Sequence, residues 1–305
     1  MVRGAAVKGI VLAGGTGSRL SPTTLAVSKH LLPVGDKPMI YYPLSVLMLA
    51  GIKDILVVTR SIDLPGFRRL LGDGAHLGIR ISYALQNVPE GIAHALTIAS
   101  GFIGDQSVAL VLGDNIFHGS GFSALVERHA KSVRGCVLFG YPVTDPERYG
   151  VGVTDADGRL VALEEKPTAP RSNRAITGLY FYDNQVVRIA QGVNRSARGE
   201  FEITDVNREY MRLEQATLVD LGRGFAWLDT GTADSLLEAS QYVRTLEHRQ
   251  GIRIACLEEI AVRKGYISLA EFARLGEQLA SSAYGAYICE LAKELDRSGG
   301  CGDAG

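Results

Sequence analysis

The sequence predicts an α/β fold: a Rossmann-like, mostly parallel sheet flanked by helices, with an antiparallel insertion and C-terminal helices. Three features of the 305-residue chain indicate the architecture. Short β-branched runs alternate with helical patterns in the first half, a two-strand pattern around an Asp-Gly turn follows, and the chain is helical after residue 253.

The first half supplies the parallel sheet. Runs typical of strands covered on both faces lie at residues 8–13, 54–59, 80–84, 108–112 and 135–141. Helical patterns separate them at residues 38–50, 64–71, 91–102 and 121–132. Because each strand is followed by a helix, right-handed crossovers between parallel strands are expected.

The second half begins with a predicted hairpin. Residues 151–154 and 160–165 flank the Asp157-Gly158 turn, and further strands are predicted at 175–182 and 216–221. Helices are predicted near Thr204, from Thr232 and through the C-terminal part, where Ser268 and Glu271 have the spacing of a capping box.

These elements predict one α/β domain over residues 1–253, followed by a helical segment at 254–297. The parallel part of the domain covers about 1–145 and the part with the hairpin about 146–253. Residues 298–305 are rich in glycine, and we expect them to be a disordered tail.

Composition limits the possible partners. The 32 basic residues nearly balance the 33 acidic ones, which argues against a nucleic-acid or membrane surface. No stretch of about 20 apolar residues is present, and the four cysteines have no CxxC spacing. We therefore expect a cytoplasmic protein without structural disulfides.

The first strand leads into a glycine-rich loop that could bind phosphate. Glycines allow backbone N–H groups to approach an anion, and Arg19 and Lys29 could neutralise a triphosphate. The loop lacks the GK[ST] of a P-loop and the last glycine of the dinucleotide fingerprint. Taken alone, it fits a simple strand-to-helix turn equally well. Its candidate phosphate-binding residues are Gly14, Gly15, Thr16, Gly17 and Ser18.

Longer motifs along the rest of the chain accompany the glycine-rich loop. GIVLAGGTGSRL and SKHLLPVGDKPMIYYPLSVLMLAGI are followed by LVLGDNIFHG, RYGVGV, LEEKP, ITGLYFYD, RGEFEITDVN and FAWLDTGT. Together they closely resemble the glucose-1-phosphate thymidylyltransferases, or dTDP-glucose synthases, of the sugar nucleotidyltransferase family. The resemblance extends to about Tyr287.

The resemblance implies an enzyme that converts dTTP and glucose 1-phosphate into dTDP-glucose and pyrophosphate with Mg²⁺, at the start of dTDP-deoxysugar biosynthesis. It assigns catalytic roles to Arg19, Lys29 and Lys166, and makes Asp114 and Asp229 the metal ligands. Because the sugar phosphate is already ionised, neither a protein nucleophile nor a general base is required. Taken singly, an aspartate after a strand is more often a cap or turn residue.

The same resemblance makes residues 1–253 a nucleotidyltransferase domain, with a nucleotide-binding half at about 1–145 and a sugar-binding part at about 146–253 that contains the antiparallel sugar-binding insertion. Substrate contacts follow from it as well. Gln86 and Gly91 are assigned to the base, although Gln86 alone would fit a solvated loop residue. The sugar and its phosphate are assigned to Gly150, Glu165, Lys166, Ile176, Gly178 and Arg198. Without the resemblance, the EEK sequence that includes Glu165 and Lys166 would fit a solvated charge run.

The resemblance also implies a homotetramer with a possible second, regulatory nucleotide site. Its expected residues are Gly119, Glu259, Ile260 and Arg263. Two residues depart from the family pattern: His30 stands where glutamine is frequent, and His118 where tyrosine is common.

The sequence leaves three alternative functions to compare. A related pyrophosphorylase using UTP, CTP or another hexose 1-phosphate stays open. A non-catalytic nucleotide sensor is disfavoured because Arg19, Lys29, Asp114 and Asp229 are all present. A Rossmann dehydrogenase is disfavoured by the loop pattern.

Overall fold

The computed structural model describes residues 7–299. In chain order the strands are β1 (Val7–Ala13), β2 (Pro33–Val34), β3 (Lys37–Pro38), β4 (Asp54–Thr59), β5 (Arg80–Leu85), β6 (Ser107–Leu112), β7 (Asn115–Gly119), β8 (Cys136–Pro142), β9 (Gly150–Thr154), β10 (Leu160–Glu165), β11 (Arg174–Tyr182), β12 (Ala216–Asp220) and β13 (Phe225–Asp229). The helices are α1 (Tyr41–Leu49), α2 (Leu64–Leu71), α3 (Ile92–Ile98), α4 (Ser100–Ile103), α5 (Phe122–Lys131), α6 (Gln185–Gly192), α7 (Ile203–Arg212), α8 (Ala233–Gln250), α9 (Leu257–Arg263), α10 (Leu269–Gln278) and α11 (Ala283–Gly299).

The central sheet has the order β10-β9-β11-β6-β1-β4-β5, and β8 and β12 continue it from β11. Strands β6, β1, β4 and β5 are mutually parallel, and so are β8 and β12. Strand β11 runs antiparallel to both β6 and β8, and therefore joins the two parallel groups. The predicted fold class, α/β with a mostly parallel sheet, is confirmed.

The antiparallel parts lie beside this sheet. Strands β9 and β10 form the predicted hairpin and reach the sheet through the pairing of Val151 with Ala175. Strands β7 and β13 form a separate antiparallel ribbon. This ribbon is important for the site because it places the end of β13 beside the start of β7.

Helices cover both faces of the sheet. Ile10 and Val11 are adjacent on β1, fully buried, and point to opposite sides, as strand geometry requires. Val11 packs in a core shared with α1, α5 and the C-terminal helices, whereas Ile10 packs in a core shared with α3, α6 and α7. The continuous apolar runs of the sequence reflect this burial on two sides.

Most predicted boundaries agree with the structure to within a few residues. The segment predicted as one helix at 91–102 is instead divided between α3 and α4, and the N–H of Ala99 bonds the carbonyls of Ala95 and Thr97 where they meet. The helix predicted from residue 38 starts at Tyr41, because residues 37 and 38 belong to β3.

The C-terminal part is helical, as expected. Ser268 and Glu271 form the predicted capping box of α10, in which the Ser268 hydroxyl accepts from the Glu271 N–H. Helix α11 extends to Gly299, and residues 300–305 of the predicted tail lie outside the described residues. No helix in residues 7–299 is both long and apolar enough to cross a membrane.

Candidate active site

The carboxyl edge of the parallel sheet brings together three predicted segments. The glycine-rich loop follows β1, Gln86 follows β5 and Asp114 follows β6 by two residues. Ligands of open α/β sheets bind at this edge. A cleft of about 280 Å³ opens there, and its lining includes Arg19, Asp114 and Asp229.

Asp114 and Asp229 are brought together by the ribbon of β7 and β13. Asp229 pairs in register with Asn115, the residue after Asp114. The backbone N–H of Thr230 donates to the Asp114 carbonyl at 3.1 Å, and its hydroxyl donates to the same oxygen at 2.8 Å. Two carboxylates that are 115 residues apart in sequence therefore lie at one end of the cleft.

The two carboxylates have different electrostatic surroundings. Burial alone would raise the pKa of Asp114, but the Lys29 ammonium that contacts its Oδ2 outweighs this effect and holds the pKa well below its usual range. Asp114 Oδ1 also accepts a 3.0 Å hydrogen bond from Asn115. Burial, followed by the neighbouring charge of Asp114, raises the pKa of Asp229. A cation bound between the two carboxylates would reduce the repulsion between their negative charges.

These carboxylates suit a hard divalent ion that keeps much of its water. Within residues 7–299, no cluster of three or more His, Cys, Asp or Glu side chains could enclose a metal. A pair of oxygen ligands open to a cleft fits Mg²⁺, which typically takes one or two carboxylates together with phosphate oxygens. The donor set is therefore compatible with Mg²⁺ bound jointly by protein and substrate.

The glycine-rich loop packs directly on Lys29. Gly17 has φ +65°, and a Cβ there would lie 2.8 Å from Thr24 Cγ2 and 3.2 Å from Lys29 Cβ. Thr24 also closes the turn by donating its hydroxyl to the Gly17 carbonyl at 2.8 Å. Thr16 and Ser18 are exposed on this loop. The loop and Lys29 thus form one unit beside Asp114.

Arg19 extends from the loop toward Asp229. A Cβ on Gly231 would lie 2.7 Å from Arg19 Nη2 and 3.1 Å from Asp229 Oδ1, so the guanidinium and the carboxylate flank the same glycine. Within residues 7–299, Arg19 has no carboxylate within ion-pair distance, and it is exposed at the cleft. Its charge is therefore available to a bound anion.

The hairpin of β9 and β10 supplies the other wall of the cleft. Lys166, just after β10, has a positive φ of 44°, and its N–H donates to the Tyr149 carbonyl at 3.0 Å. Its side chain is exposed, and in the described part of the chain it has no ion-pair partner. A strained backbone that presents an unpaired cation is typical of a functional position. Glu165 lies opposite Gly150 and accepts a hydrogen bond from Thr204.

Arg198 lies in the same cleft but is already paired. Its Nη2 donates to both carboxylate oxygens of Glu202 at 2.8 Å and lies 3.4 Å from Glu165 Oε1. A sugar phosphate would therefore have to compete with Glu202 for this guanidinium. Lys166, on the same wall, could bind a phosphate without first releasing a carboxylate partner.

Gln86 is buried, with 4% of its surface exposed, so the alternative of a solvated loop residue is wrong. Its amide nitrogen lies 3.3 Å from the Gly91 carbonyl and 3.3 Å from His94 Nδ1. Gly91 has φ +102°, and a Cβ there would lie 2.3 Å from the Phe201 carbonyl oxygen. Close backbone packing therefore explains why position 91 is a glycine, independently of any role in binding the base.

Sequence reasoning missed Asn115, which organises the floor of the cleft. Its Oδ1 accepts from Trp227 Nε1 at 2.6 Å and from the Gly178 N–H at 3.0 Å, while its Nδ2 holds Asp114. Trp227 contacts the ring of Tyr149 with centroids 5.1 Å apart. Both Asn115 and Trp227 lie close to the predicted metal ligands in the motifs LVLGDN and FAWLDTG. This proximity is the sequence signal by which they could be identified as residues of the site. Ile176 and Gly178 line the cleft from β11.

The four residues expected at a regulatory site do not lie in this cleft. Gly119, Glu259, Ile260 and Arg263 instead line a second cavity of about 660 Å³, formed by β7, α5 and α9. Arg263 Nε lies 2.7 Å from Glu259 Oε1. Because β7 starts at Asn115 and ends at Gly119, one short strand joins the two cavities.

The two histidines that depart from the family pattern occupy different places. His30 is buried behind Lys29, where burial and then the Lys29 charge lower its pKa to about 3. Its Nδ1 lies 3.2 Å from the Ser28 hydroxyl. His118 lines the second cavity beside Tyr242, and burial lowers its pKa. His30 is therefore neutral at physiological pH.

The chain is similar to known proteins along nearly all of its length. The family model described as "Nucleotidyl transferase" matches residues 8–245. The chain is 53% identical over 285 residues to the glucose-1-phosphate thymidylyltransferase of Mycobacterium tuberculosis H37Rv, covering 93% of this chain and 99% of that protein. It is 53% identical over 288 residues to the enzyme of the same name from Neisseria meningitidis Z2491, covering 94% of this chain and all of that protein.

Solved structures also resemble this chain. A putative glucose-1-phosphate thymidylyltransferase from Bacillus anthracis, in complex with a sucrose, superposes with a TM-score of 0.73 at 39% identity, covering 78% of this chain and 96% of the other. A UDP-glucose pyrophosphorylase complexed with UDP-glucose gives a TM-score of 0.67 at 24% identity, covering 79% and 99%. The second likeness concerns the fold alone.

Proposed function

The chain belongs to the nucleotidyl transferase family, and we propose that it transfers a thymidylyl group from dTTP to α-D-glucose 1-phosphate, giving dTDP-glucose and pyrophosphate. The observation that carries the proposal is the meeting of the acidic pair Asp114 and Asp229 with Arg19, at the end of the glycine-rich loop, and Lys166 in one cleft. The names of relatives that match nearly the full chain support this choice of substrates.

The chemistry is a displacement at phosphorus. An oxygen of the sugar phosphate forms a new bond to the α-phosphorus of dTTP, and the bond from that phosphorus to the bridging oxygen breaks as pyrophosphate leaves. Arg19 and the N–H groups of the loop bind the departing phosphates, and Lys29 neutralises charge near the reacting phosphorus. Positioning and charge stabilisation account for most of such catalysis.

Asp114 and Asp229 would hold Mg²⁺. When bound, the ion would neutralise phosphate charge and help to orient the triphosphate. Asp114 makes this possible in the folded chain because its carboxylate stays ionised beside Lys29, while Asn115 fixes its orientation. Asp229 supplies the second oxygen ligand from the end of β13.

The remaining walls would select the substrates. Lys166 binds the phosphate of the sugar phosphate, while Glu165 and the backbone at Gly150 and Gly178 contact the sugar. Arg198 becomes a further phosphate contact if the phosphate displaces Glu202 from the guanidinium group. Gln86 reads the edge of thymine from the other side of the loop. Reading this edge with two bonds requires one amide N–H of Gln86 to be released from its present neighbours.

A panel of nucleotides and sugar phosphates tests the proposal. Purified protein is supplied with dTTP, UTP or CTP and with glucose 1-phosphate or other hexose 1-phosphates, and pyrophosphate release is followed together with product mass. The proposal predicts that dTTP with glucose 1-phosphate gives the highest kcat/KM. A higher value for another pair would favour the alternative of a related pyrophosphorylase, and no turnover would favour a nucleotide-sensing homologue.

We further propose that the second cavity is a regulatory nucleotide site in a cytoplasmic homotetramer. Its lining by Gly119, Glu259, Ile260 and Arg263 supports the site. The tetramer rests on the resemblance alone and is tested by sedimentation of the purified protein. The location is tested by cell fractionation.

A further inference from the structure

Asn207 is a buried amide in the wall of the cleft. It lies on α7 with 1% of its surface exposed, and it is part of the lining of the cleft. Thr204 lies one helical turn before it, on the same face of the helix. The Thr204 hydroxyl donates to Glu165, which the proposed function assigns to the sugar. Asn207 therefore occupies the next position along the wall that would contact the sugar.

The oxygen of this amide is used inside the protein. The Tyr182 hydroxyl donates to Asn207 Oδ1 at 2.6 Å, and the Cys136 thiol donates to the same oxygen at 3.7 Å. Both donor residues are fully buried. Because the Tyr182 hydroxyl has no other hydrogen-bond partner among residues 7–299, reversing the amide would leave a buried O–H without an acceptor. The core therefore holds Oδ1 toward β8 and β11.

The nitrogen of the same amide is left without a partner. Asn207 Nδ2 donates no hydrogen bond to any of residues 7–299, although an amide nitrogen carries two N–H donors. It is also not one of the side-chain atoms in the described residues that are both unpartnered and sealed from solvent. Since Asn207 lines the cleft, Nδ2 faces the cleft, where a ligand can supply the missing acceptor.

We propose that Asn207 is a specificity-determining residue for the sugar, and that its Nδ2–H donates to a hydroxyl group of the hexose. The inference rests on the proposed function, in which glucose 1-phosphate occupies this cleft. Lys166 and Arg198 line the same cleft and supply the charge that a phosphate requires, so a neutral amide is suited to a neutral hydroxyl. A hydroxyl can accept from Nδ2–H while donating its own proton to a carboxylate such as Glu165.

The test is the KM for glucose 1-phosphate when Asn207 is replaced without leaving Tyr182 unpaired. Asn207→Leu in a Tyr182→Phe background removes the amide and the hydroxyl together, so no buried O–H loses its acceptor. Loss of one hydrogen bond to the sugar should raise the KM for glucose 1-phosphate about 3- to 10-fold above that of Tyr182→Phe, while kcat and the KM for dTTP change less than about twofold. Tyr182→Phe alone keeps Nδ2 and should have the wild-type KM. Thermal melting of each variant monitors folding.

Modified substrates separate a contact with the sugar from an effect on packing. The wild type and both variants are assayed with a set of glucose 1-phosphates, each of which lacks one hydroxyl group. In the wild type and in Tyr182→Phe, the analogue without the hydroxyl that accepts from Nδ2 should have a KM above that of glucose 1-phosphate. In the double variant this difference should shrink by the factor that Asn207→Leu adds for glucose 1-phosphate itself. A purely structural role would raise the KM equally for every analogue.

Two results overturn the inference while the proposed function stands: an unchanged KM for glucose 1-phosphate in the double variant, or an equal rise for every analogue. If the double variant does not fold, crystals of the wild type with glucose 1-phosphate decide the matter. A sugar hydroxyl within about 3.2 Å of Asn207 Nδ2 supports the inference, and a water molecule in that place contradicts it. Wild-type protein that fails to turn over dTTP with glucose 1-phosphate contradicts the proposed function itself, and is recognised before any variant is compared.

Discussion

The ammonium group of Lys29 forms a direct ion pair with the carboxylate of Asp114, 85 residues further along the chain. The pair joins a residue assigned to the substrate phosphates to one assigned to the metal. Only 12% and 14% of the two side chains are exposed, so water screens the interaction weakly. A metal at Asp114 must therefore share this carboxylate with Lys29, and the phosphates of the substrate would offer Lys29 a replacement partner.

Asp114→Asn should abolish most of the activity. The amide keeps the shape of the side chain but removes the charge that both Lys29 and a metal require. We expect kcat to fall by about 100-fold or more, measured as pyrophosphate release at saturating Mg²⁺. Asp220→Asn, at the exposed end of β12, is the matched control and should retain wild-type kcat. A near-normal rate in Asp114→Asn would remove this residue from the metal site.

Asp229→Asn should lose activity but stabilise the metal-free protein. The pKa of Asp229 is raised by burial and by Asp114, so the folded protein holds this proton more tightly than the unfolded chain does. The ionised Asp229 therefore destabilises the folded protein. This destabilisation is absent below the pKa that Asp229 has in the unfolded chain, and it develops as pH rises through the pKa that Asp229 has in the folded protein. At pH 7 in EDTA we expect Tm to rise by about 1–4 °C in Asp229→Asn.

Magnesium provides the matching control for that variant. Mg²⁺ with dTTP should raise the Tm of the wild type, because a ligand that binds only the folded state stabilises it, and should raise that of Asp229→Asn less. A lower Tm for Asp229→Asn than for the wild type in EDTA would show that the charge of Asp229 does not destabilise the folded protein.

Lys166→Gln should weaken binding of glucose 1-phosphate. Loss of a charge-assisted hydrogen bond predicts a KM for glucose 1-phosphate about 10- to 100-fold higher, with the KM for dTTP little changed. Because Lys166 has no ion-pair partner in residues 7–299, thermal stability should not fall. Lys166→Arg keeps the charge and should recover part of the affinity. An unchanged KM in Lys166→Gln would exclude the assignment.

UTP should be used measurably alongside dTTP. We propose that Gln86 contacts an edge that uracil and thymine share, so discrimination would rest on one methyl group and the 2′-hydroxyl. A methyl group in an apolar pocket is worth about 1–3 kcal/mol, which predicts a kcat/KM for UTP lower by about 10- to 200-fold. Complete inactivity with saturating UTP would mean that other contacts exclude ribose or uracil.

The second cavity should transmit inhibition without catalysing the reaction. Arg263→Ala removes a cation beside Glu259 in a cavity distinct from the cleft. We expect this variant to keep wild-type kcat and KM but to bind an inhibitory dTDP-deoxysugar about tenfold more weakly, as judged from inhibition curves. Lys293→Ala, on the exposed face of α11, is the control. Equal inhibition of the wild type and Arg263→Ala would argue against regulation at this cavity.

The sheet was predictable because local pattern and global burial agree. The apolar run of β1 predicts a strand buried on both faces, and Ile10 and Val11 do pack in different cores. The capping box of α10 was likewise visible in the spacing of Ser268 and Glu271. In these cases each residue is constrained by its immediate neighbours and by the face on which it lies.

The contacts of the cleft were harder to predict because they join distant segments. Nothing near Asn115 in the sequence indicates that its side chain would receive the Trp227 indole and the Gly178 N–H. Arg198 and Glu202 are only four residues apart, but they lie in the irregular segment that leads into α7, so no helical spacing predicts that their side chains pair. The contacts of Asn115 depend on how the ribbon of β7 and β13 forms and packs against β11, which periodicity does not determine.

The most direct test of the central claim is the anomalous scattering of Mn²⁺ in crystals grown with dTTP. The account predicts a peak bound by Asp114 and Asp229, with triphosphate oxygens completing its coordination and the phosphates lying against the loop from Gly14 to Arg19. A triphosphate located away from that loop, or a metal bound without either carboxylate, would contradict it.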